Sequence, residues 1–290
     1  ENFKLLEAPV TAPDPAHWRE VIPHRADVLL DGLDVFRDHL VLYERQGGLK
    51  RIRLSAPDAV SAVRAVPFPE PVYTFAPAEN PEYAADSLRF TYSSLVTPNT
   101  VVDYGLADGA WTVRKQDRIP SGYDPSQYRT ERRFATAPDG VQVPISLVYQ
   151  AGFTPDGQAP LLLYGYGSYG ASMDVWFDSK RLSLLDRGVV FAIAHIRGGA
   201  ELGRRWYQTG KLLHKRNTFT DFIACAEHLL AERYTRRERL AIMGTSAGGL
   251  LVGAAVTMRP DLFRCVVARV PFVDVVNSMS DPSIPLTVIE

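Results

Sequence analysis

Ile242-Met243-Gly244-Thr245-Ser246-Ala247-Gly248-Gly249 is the stretch that decides how the rest of this chain is read. It contains the pattern G-x-S-x-G, which by itself is short enough to arise by chance. Its surroundings give it weight. An apolar run of strand type, residues 239–243, comes immediately before it, and a Gly- and Ala-rich helical stretch, 246–258, follows. A serine on a tight turn between a strand and a helix has the arrangement of a nucleophile elbow. The turn closes only if the residues two before and two after the serine are small, as Gly244 and Gly248 are. Strain in that turn presents the Ser246 hydroxyl above the sheet edge, and the helix N-terminus offers free N–H groups to a developing oxyanion. The competing reading is a Rossmann-type turn in which Ser246 merely caps the helix.

Outward from the elbow, the chain alternates strand and helix. Residues 145–149, 161–164, 189–194, 239–243 and 265–270 are apolar runs of strand type. Between them, 176–186 and 217–232 carry helical spacing, the latter with Phe219, Phe222, Ile223, Ala226, Leu229 and Leu230 on one face. Strands alternating with helices predict a mainly parallel sheet flanked by helices, an α/β architecture. Before residue 133 the pattern is different. Short runs of β type (26–30, 39–44, 49–54, 87–93, 111–115) are separated by Asp31-Gly32, Gly47-Gly48, Thr97-Pro98-Asn99 and Asp108-Gly109. Such punctuation predicts an all-β sandwich, barrel or propeller. The expected division is therefore 1–133 and 134–290, with the Pro- and Gly-containing stretch 118–130 as linker.

Composition bounds the function. Hydrophobic residues make up 46% of 290 and charged residues 22%, so a substantial core can form. A net charge of −1 leaves no footprint for nucleic acid or an anionic membrane. The basic residues Arg204, Arg205, Lys211, Lys215 and Arg216 then read as a solvated face. Cys225 and Cys265 can build neither a disulfide framework nor a metal site by their spacing, and are expected as two buried thiols in a reducing compartment. Glu1-Asn2-Phe3-Lys4 has no basic segment before an apolar one, and no apolar run approaches the roughly 20 residues that span a bilayer. A cytoplasmic protein without metal or cofactor is the expectation.

A serine nucleophile needs a base, and the base an orienting acid. On this fold their order is Ser, Asp or Glu, His. All six His (His17, His24, His39, His195, His214, His228) precede Ser246. His195 reads as a structural residue at a strand end. The expectation is that the triad Asp and His lie outside these 290 residues, and that the chain by itself is inactive.

Several longer motifs lie in order around the elbow. They are Leu163-Tyr164-Gly165-Tyr166-Gly167-Ser168-Tyr169-Gly170, His195-Ile196-Arg197-Gly198-Gly199-Ala200-Glu201-Leu202-Gly203, Lys215-Arg216-Asn217-Thr218-Phe219 and Val270-Pro271-Phe272-Val273-Asp274. Together they resemble the prolyl oligopeptidase family of serine peptidases, and within it the oligopeptidase B subfamily. The resemblance implies an α/β-hydrolase domain preceded by the C-terminal blades of a β-propeller. It implies Ser246 as nucleophile, the Ala247 N–H as one oxyanion donor and the Tyr166 hydroxyl as the second. Cleavage after Arg or Lys would require carboxylates for the substrate's cation. The resemblance assigns Glu290 to the pocket of the cleaved residue and Asp174 to the neighbouring basic subsite, with Tyr169 also on the substrate side. Taken without the resemblance, Asp174 reads as a helix N-cap ahead of Trp176. Trp176 stands where the subfamily often has a second acid, and Ala200 where glycine is common.

The implied function is a serine oligopeptidase acting on short peptides with basic residues, as a monomer or small homo-oligomer. The alternatives are a peptidase of prolyl oligopeptidase type, an esterase or acylaminoacyl hydrolase on the same fold, and a non-catalytic interaction fragment.

Overall fold

The computed structural model describes residues 2–60 and 62–284. The first part is all β. A short antiparallel ladder joins β1 (Leu5–Glu7) to β2 (Arg19–Ile22). Two four-stranded antiparallel sheets follow. One contains β3 (Val28–Val35), β4 (Leu40–Gln46), β5 (Leu49–Ser55) and β6 (Arg64–Ala65), in that order. The other contains β7 (Tyr73–Pro77), β8 (Ser87–Ser94), β9 (Thr100–Gly105) and β10 (Trp111–Gln116). Each is a meander of the size of a propeller blade. They share one aromatic core, in which Phe68 stacks on Tyr73 and Phe75 while Trp111 meets Phe68, Phe90 and Tyr92 edge-on.

The second part is a six-stranded sheet. Its strands are β11 (Tyr128–Thr136), β12 (Gln142–Gln150), β13 (Leu161–Tyr164), β14 (Val190–Ala194), β15 (Leu240–Thr245) and β16 (Cys265–Arg269). Their spatial order is β11-β12-β14-β13-β15-β16. The last four are parallel to one another, while β12 joins β14, and β11 joins β12, antiparallel. Residue 133 falls inside β11, so the second sheet starts at Tyr128, earlier than the composition shift places it. Helices α1 (Ser179–Leu185), α2 (Arg204–Gln208), α3 (Arg216–Ala231) and α4 (Ala247–Met258) connect the strands, and α5 (Val275–Ser280) follows β16. The fully buried strand β14, the buried face of β15 and the inner faces of α3 and α4 supply the main core, with Phe222, Leu229, Ile242 and Leu251 inaccessible to solvent.

Two local expectations are corrected. Helix α1 starts at Ser179 and is capped by the Asp178 carboxylate, which accepts the Lys180 N–H at 3.0 Å, so Asp174 is not a helix cap. Of the two thiols, Cys225 is buried in α3, but Cys265 is exposed, because it begins β16 at the margin of the described sheet. The antiparallel edge, β11 with β12, adds to the parallel sheet that the alternation of strands and helices predicts.

A further apolar cluster holds the two parts together. Val72, Leu95 and Val96 from the second blade pack with Tyr128, Val148, Val175, Leu182, Leu185, Phe191 and Ile193. Polar ties accompany it: the Phe177 N–H donates to Ser93 Oγ at 3.1 Å, and Arg132 donates to the Gly47 carbonyl. Among the described residues no helix is long and apolar enough to cross a membrane.

Candidate active site

Ser246 occupies the turn between β15 and α4, with φ 57° and ψ −117°. This backbone conformation is costly for a residue with a side chain, by about 1–3 kcal/mol, and is held only where neighbours enforce it. Two hydrogen bonds enforce it here. The Ser246 N–H donates to the Arg269 carbonyl at 3.0 Å, and the Phe272 N–H donates to the Ser246 carbonyl at 3.0 Å. The two glycines permit the closure. A Cβ on Gly244 would lie 1.8 Å from the Gly248 carbonyl oxygen, and one on Gly248 would lie 2.7 Å from that of Gly165. The result is an exposed Ser246 set on a buried base, Ala247 to Gly249. Ala247 is the first residue of α4, where N–H groups lack intrahelical acceptors and the helix dipole is positive.

Tyr166 reaches the elbow through strand register. Parallel pairing sets Tyr164 of β13 opposite Met243 of β15, so the Tyr166 loop and the elbow leave the sheet side by side. Tyr166 Cα and Cδ2 both lie 3.5 Å from where a Gly248 Cβ would sit, which places the ring against the elbow. The carboxyl ends of parallel strands are where open α/β sheets hold their ligands. The loop behind Tyr166 is fastened from several sides. Lys215 Nζ donates to the Gly167 carbonyl at 2.9 Å and meets Ser168 Oγ at 2.5 Å. The Gly170 N–H donates to the Gly198 carbonyl at 2.9 Å. Thr218 Oγ1 donates to the Arg197 and Gly210 carbonyls.

Arg197 anchors this network. Its Nε and Nη2 grip the Asp221 carboxylate at 2.8 and 2.5 Å, and Nη1 donates to Asp139 at 2.6 Å. Burial works against the guanidinium charge, but the two carboxylates outweigh it and hold Arg197 firmly protonated. The motifs read separately in the sequence thus meet in one support beneath Tyr166. Sequence reading gave Lys215, Asp139 and Asp221 no such role, because their partners are set by the packing of α3 against the sheet.

His195 is buried at the end of β14, and its Nε2 lies 2.7 Å from Ser146 Oγ on β12. β13 separates β14 from the strand that carries Ser246. This placement is structural. Tyr169 is exposed, with φ 60°, on the same loop as Tyr166. Asp174 lies further along that loop, and its carboxylate is engaged by Arg45 and Lys50 of the first blade. Glu290 lies outside the described residues. Among the described residues no group of three or more His, Cys, Asp or Glu is placed to hold a metal ion.

Residues 175–290 match the prolyl oligopeptidase family, and residues 1–117 match the N-terminal β-propeller domain of prolyl oligopeptidase. This chain belongs to the prolyl oligopeptidase family. It is 46% identical over 99% of its length to dipeptidyl aminopeptidase BI of Pseudoxanthomonas mexicana, and 43% identical over 100% to protease 2 of Moraxella lacunata. Its fold superposes on oligopeptidase B from Leishmania major with a TM-score of 0.88 at 46% identity, over 99% of this chain and 41% of that one. The chain spans 39% and 41% of the lengths of the two curated relatives. The two blades are therefore part of a propeller, and the mixed sheet is that of an α/β-hydrolase.

Proposed function

We propose that this chain carries the nucleophile and oxyanion donors of a serine peptidase that hydrolyses short peptides after Arg or Lys. The observation that carries the reading is the strained, exposed Ser246 with Tyr166 packed against its elbow. Ser246 Oγ attacks the scissile carbonyl carbon as its proton passes to a His supplied from outside these residues. The carbonyl π pair moves onto oxygen, and the Ala247 N–H and Tyr166 O–H donate to that oxyanion. As the tetrahedral centre collapses, the His gives its proton to the leaving amine, the C–N bond breaks and an acyl-enzyme remains. Water, deprotonated by the same His, releases the acid and restores Ser246.

Specificity for a basic residue rests on the resemblance, which assigns Glu290 to its pocket. The match to a relative named dipeptidyl aminopeptidase supports a second reading, the release of N-terminal dipeptides. The test is fluorophosphonate labelling of a protein that carries the complete hydrolase domain, then hydrolysis of Arg, Pro and neutral substrates with free or blocked N-termini. Labelling that is lost in Ser246→Ala, with cleavage of blocked Arg substrates, supports the endopeptidase. Cleavage of free N-termini alone supports the aminopeptidase. Preference for neutral esters, or labelling that survives in Ser246→Ala, overturns the proposal.

A further inference from the structure

Arg45 and Lys50 stand directly opposite one another at the end of the β4–β5 hairpin. Both are largely buried, with side chains 7% and 18% exposed. Like charges paired across neighbouring strands repel, and burial removes the water that would screen them. On the blade, Asp31 lies 4.0 Å from Arg45 Nε. The closer counter-charge comes from the other domain. Asp174 Oδ1 accepts from Arg45 Nη1 at 3.0 Å, and Oδ2 lies 2.8 Å from Lys50 Nζ. Lys50 is fixed further, donating to the Phe75 carbonyl at 3.0 Å. Burial opposes the charge on Asp174, but the two cations overcome it and hold the carboxyl below the usual carboxylate range.

We propose that Arg45 and Lys50 occupy the place that a basic substrate side chain would take on Asp174, so the subsite next to the cleaved residue does not select Arg or Lys. This rests on the peptidase reading above and on the family resemblance, which assigns Asp174 to that subsite. Each carboxylate oxygen already has a cation. A substrate guanidinium would either displace a fixed, hydrogen-bonded partner or add a third positive charge to a nearly dry site. Trp176 adds no charge of its own. Asp174 instead ties the loop that carries Tyr166 to the first blade, a residue of specificity through the partner it keeps.

The experiment uses the protein with its complete hydrolase domain. Peptides with Arg fixed at the cleaved position carry either Arg or Ala immediately before it, and kcat/KM is compared. Wild type should discriminate by less than about threefold, and Arg45→Met/Lys50→Met should favour Arg by about tenfold, the equivalent of about 1.4 kcal/mol. A wild-type preference above about threefold, or a folded double variant with no gain, overturns the proposal. A thermal-unfolding cycle needs no turnover. Asp174→Asn, the double variant and their combination should give non-additive losses in Tm; additive losses would sink the ion-pair arrangement. Failure to cut after Arg at all would fall on the peptidase reading, which this cycle does not touch.

Discussion

Ser246 shows how much one residue can carry when its neighbours leave it no alternative. The strain at φ 57° is local, set by Gly244, Gly248 and the two hydrogen bonds from the segment after β15 and α4. The elbow that carries Ser246 and Ala247 is legible in the sequence for that reason, since a strand, a small-residue turn and a helix are adjacent in the chain. Tyr166 was legible through the motif resemblance alone, because its approach to the elbow depends on the pairing of β13 with β15. Tyr166→Phe keeps the ring that packs on Gly248 and removes the O–H donor. In a protein with the complete hydrolase domain, kcat should fall about 10²–10³-fold with KM nearly unchanged, as for loss of one oxyanion donor. Steady-state kinetics on an Arg substrate check this, and an unchanged kcat would remove Tyr166 from the oxyanion site.

At the scale of elements, the buried strands and the long helix of the hydrolase part stand out most clearly in the sequence. The sequence pattern places β13 at residues 161–164, and β14, β15 and α3 to within a few residues, because buried faces impose clear patterns. β11 has no strand signature in the sequence. Its residues Arg129, Glu131, Arg132 and Arg133 give it no apolar face, and pairing with β12 alone defines it. The second blade carries a charge rung of the same hidden kind. Arg89 on β8 and Arg114 on β10 both donate to Asp103 on β9, with the register shifting around Arg114. Hydrogen bonding to Arg89 leads in drawing the Asp103 pKa down from 3.8 to about 2; burial opposes it, and Arg114 reinforces it. A depressed carboxylate contributes stability that is present above the unfolded value and lost as pH falls through the folded one. The rung should therefore weaken between about pH 4 and about pH 2. Acid unfolding followed by circular dichroism should show a smaller loss across that window in Asp103→Asn than in wild type.

The whole molecule is joined by apolar packing more than by charge. Leu95 and Val96 belong by sequence to the second blade, yet they pack with Phe191, Ile193 and Leu185 of the hydrolase part. Leu95 is 2% exposed, and Leu95→Ala should cost about 2–5 kcal/mol through lost contacts and a cavity. Because the cluster is shared, urea unfolding followed by fluorescence and by circular dichroism should shift together. A blade transition that moved alone would show that the two parts do not share their core.

The sequence by itself determined the class of each half and the elbow that carries Ser246. Alternation, helical spacing and a five-residue turn are short-range properties of a chain. The tertiary structure decided which distant residues meet. The Arg197 clamp on Asp221 and Asp139, the Lys215 hold on the Tyr166 loop and the capture of Asp174 by Arg45 and Lys50 all join separate elements. A charged residue records in sequence that it needs a partner. Which partner answers is settled only when sheet order and domain packing bring one within hydrogen-bond reach and exclude the water that would otherwise serve.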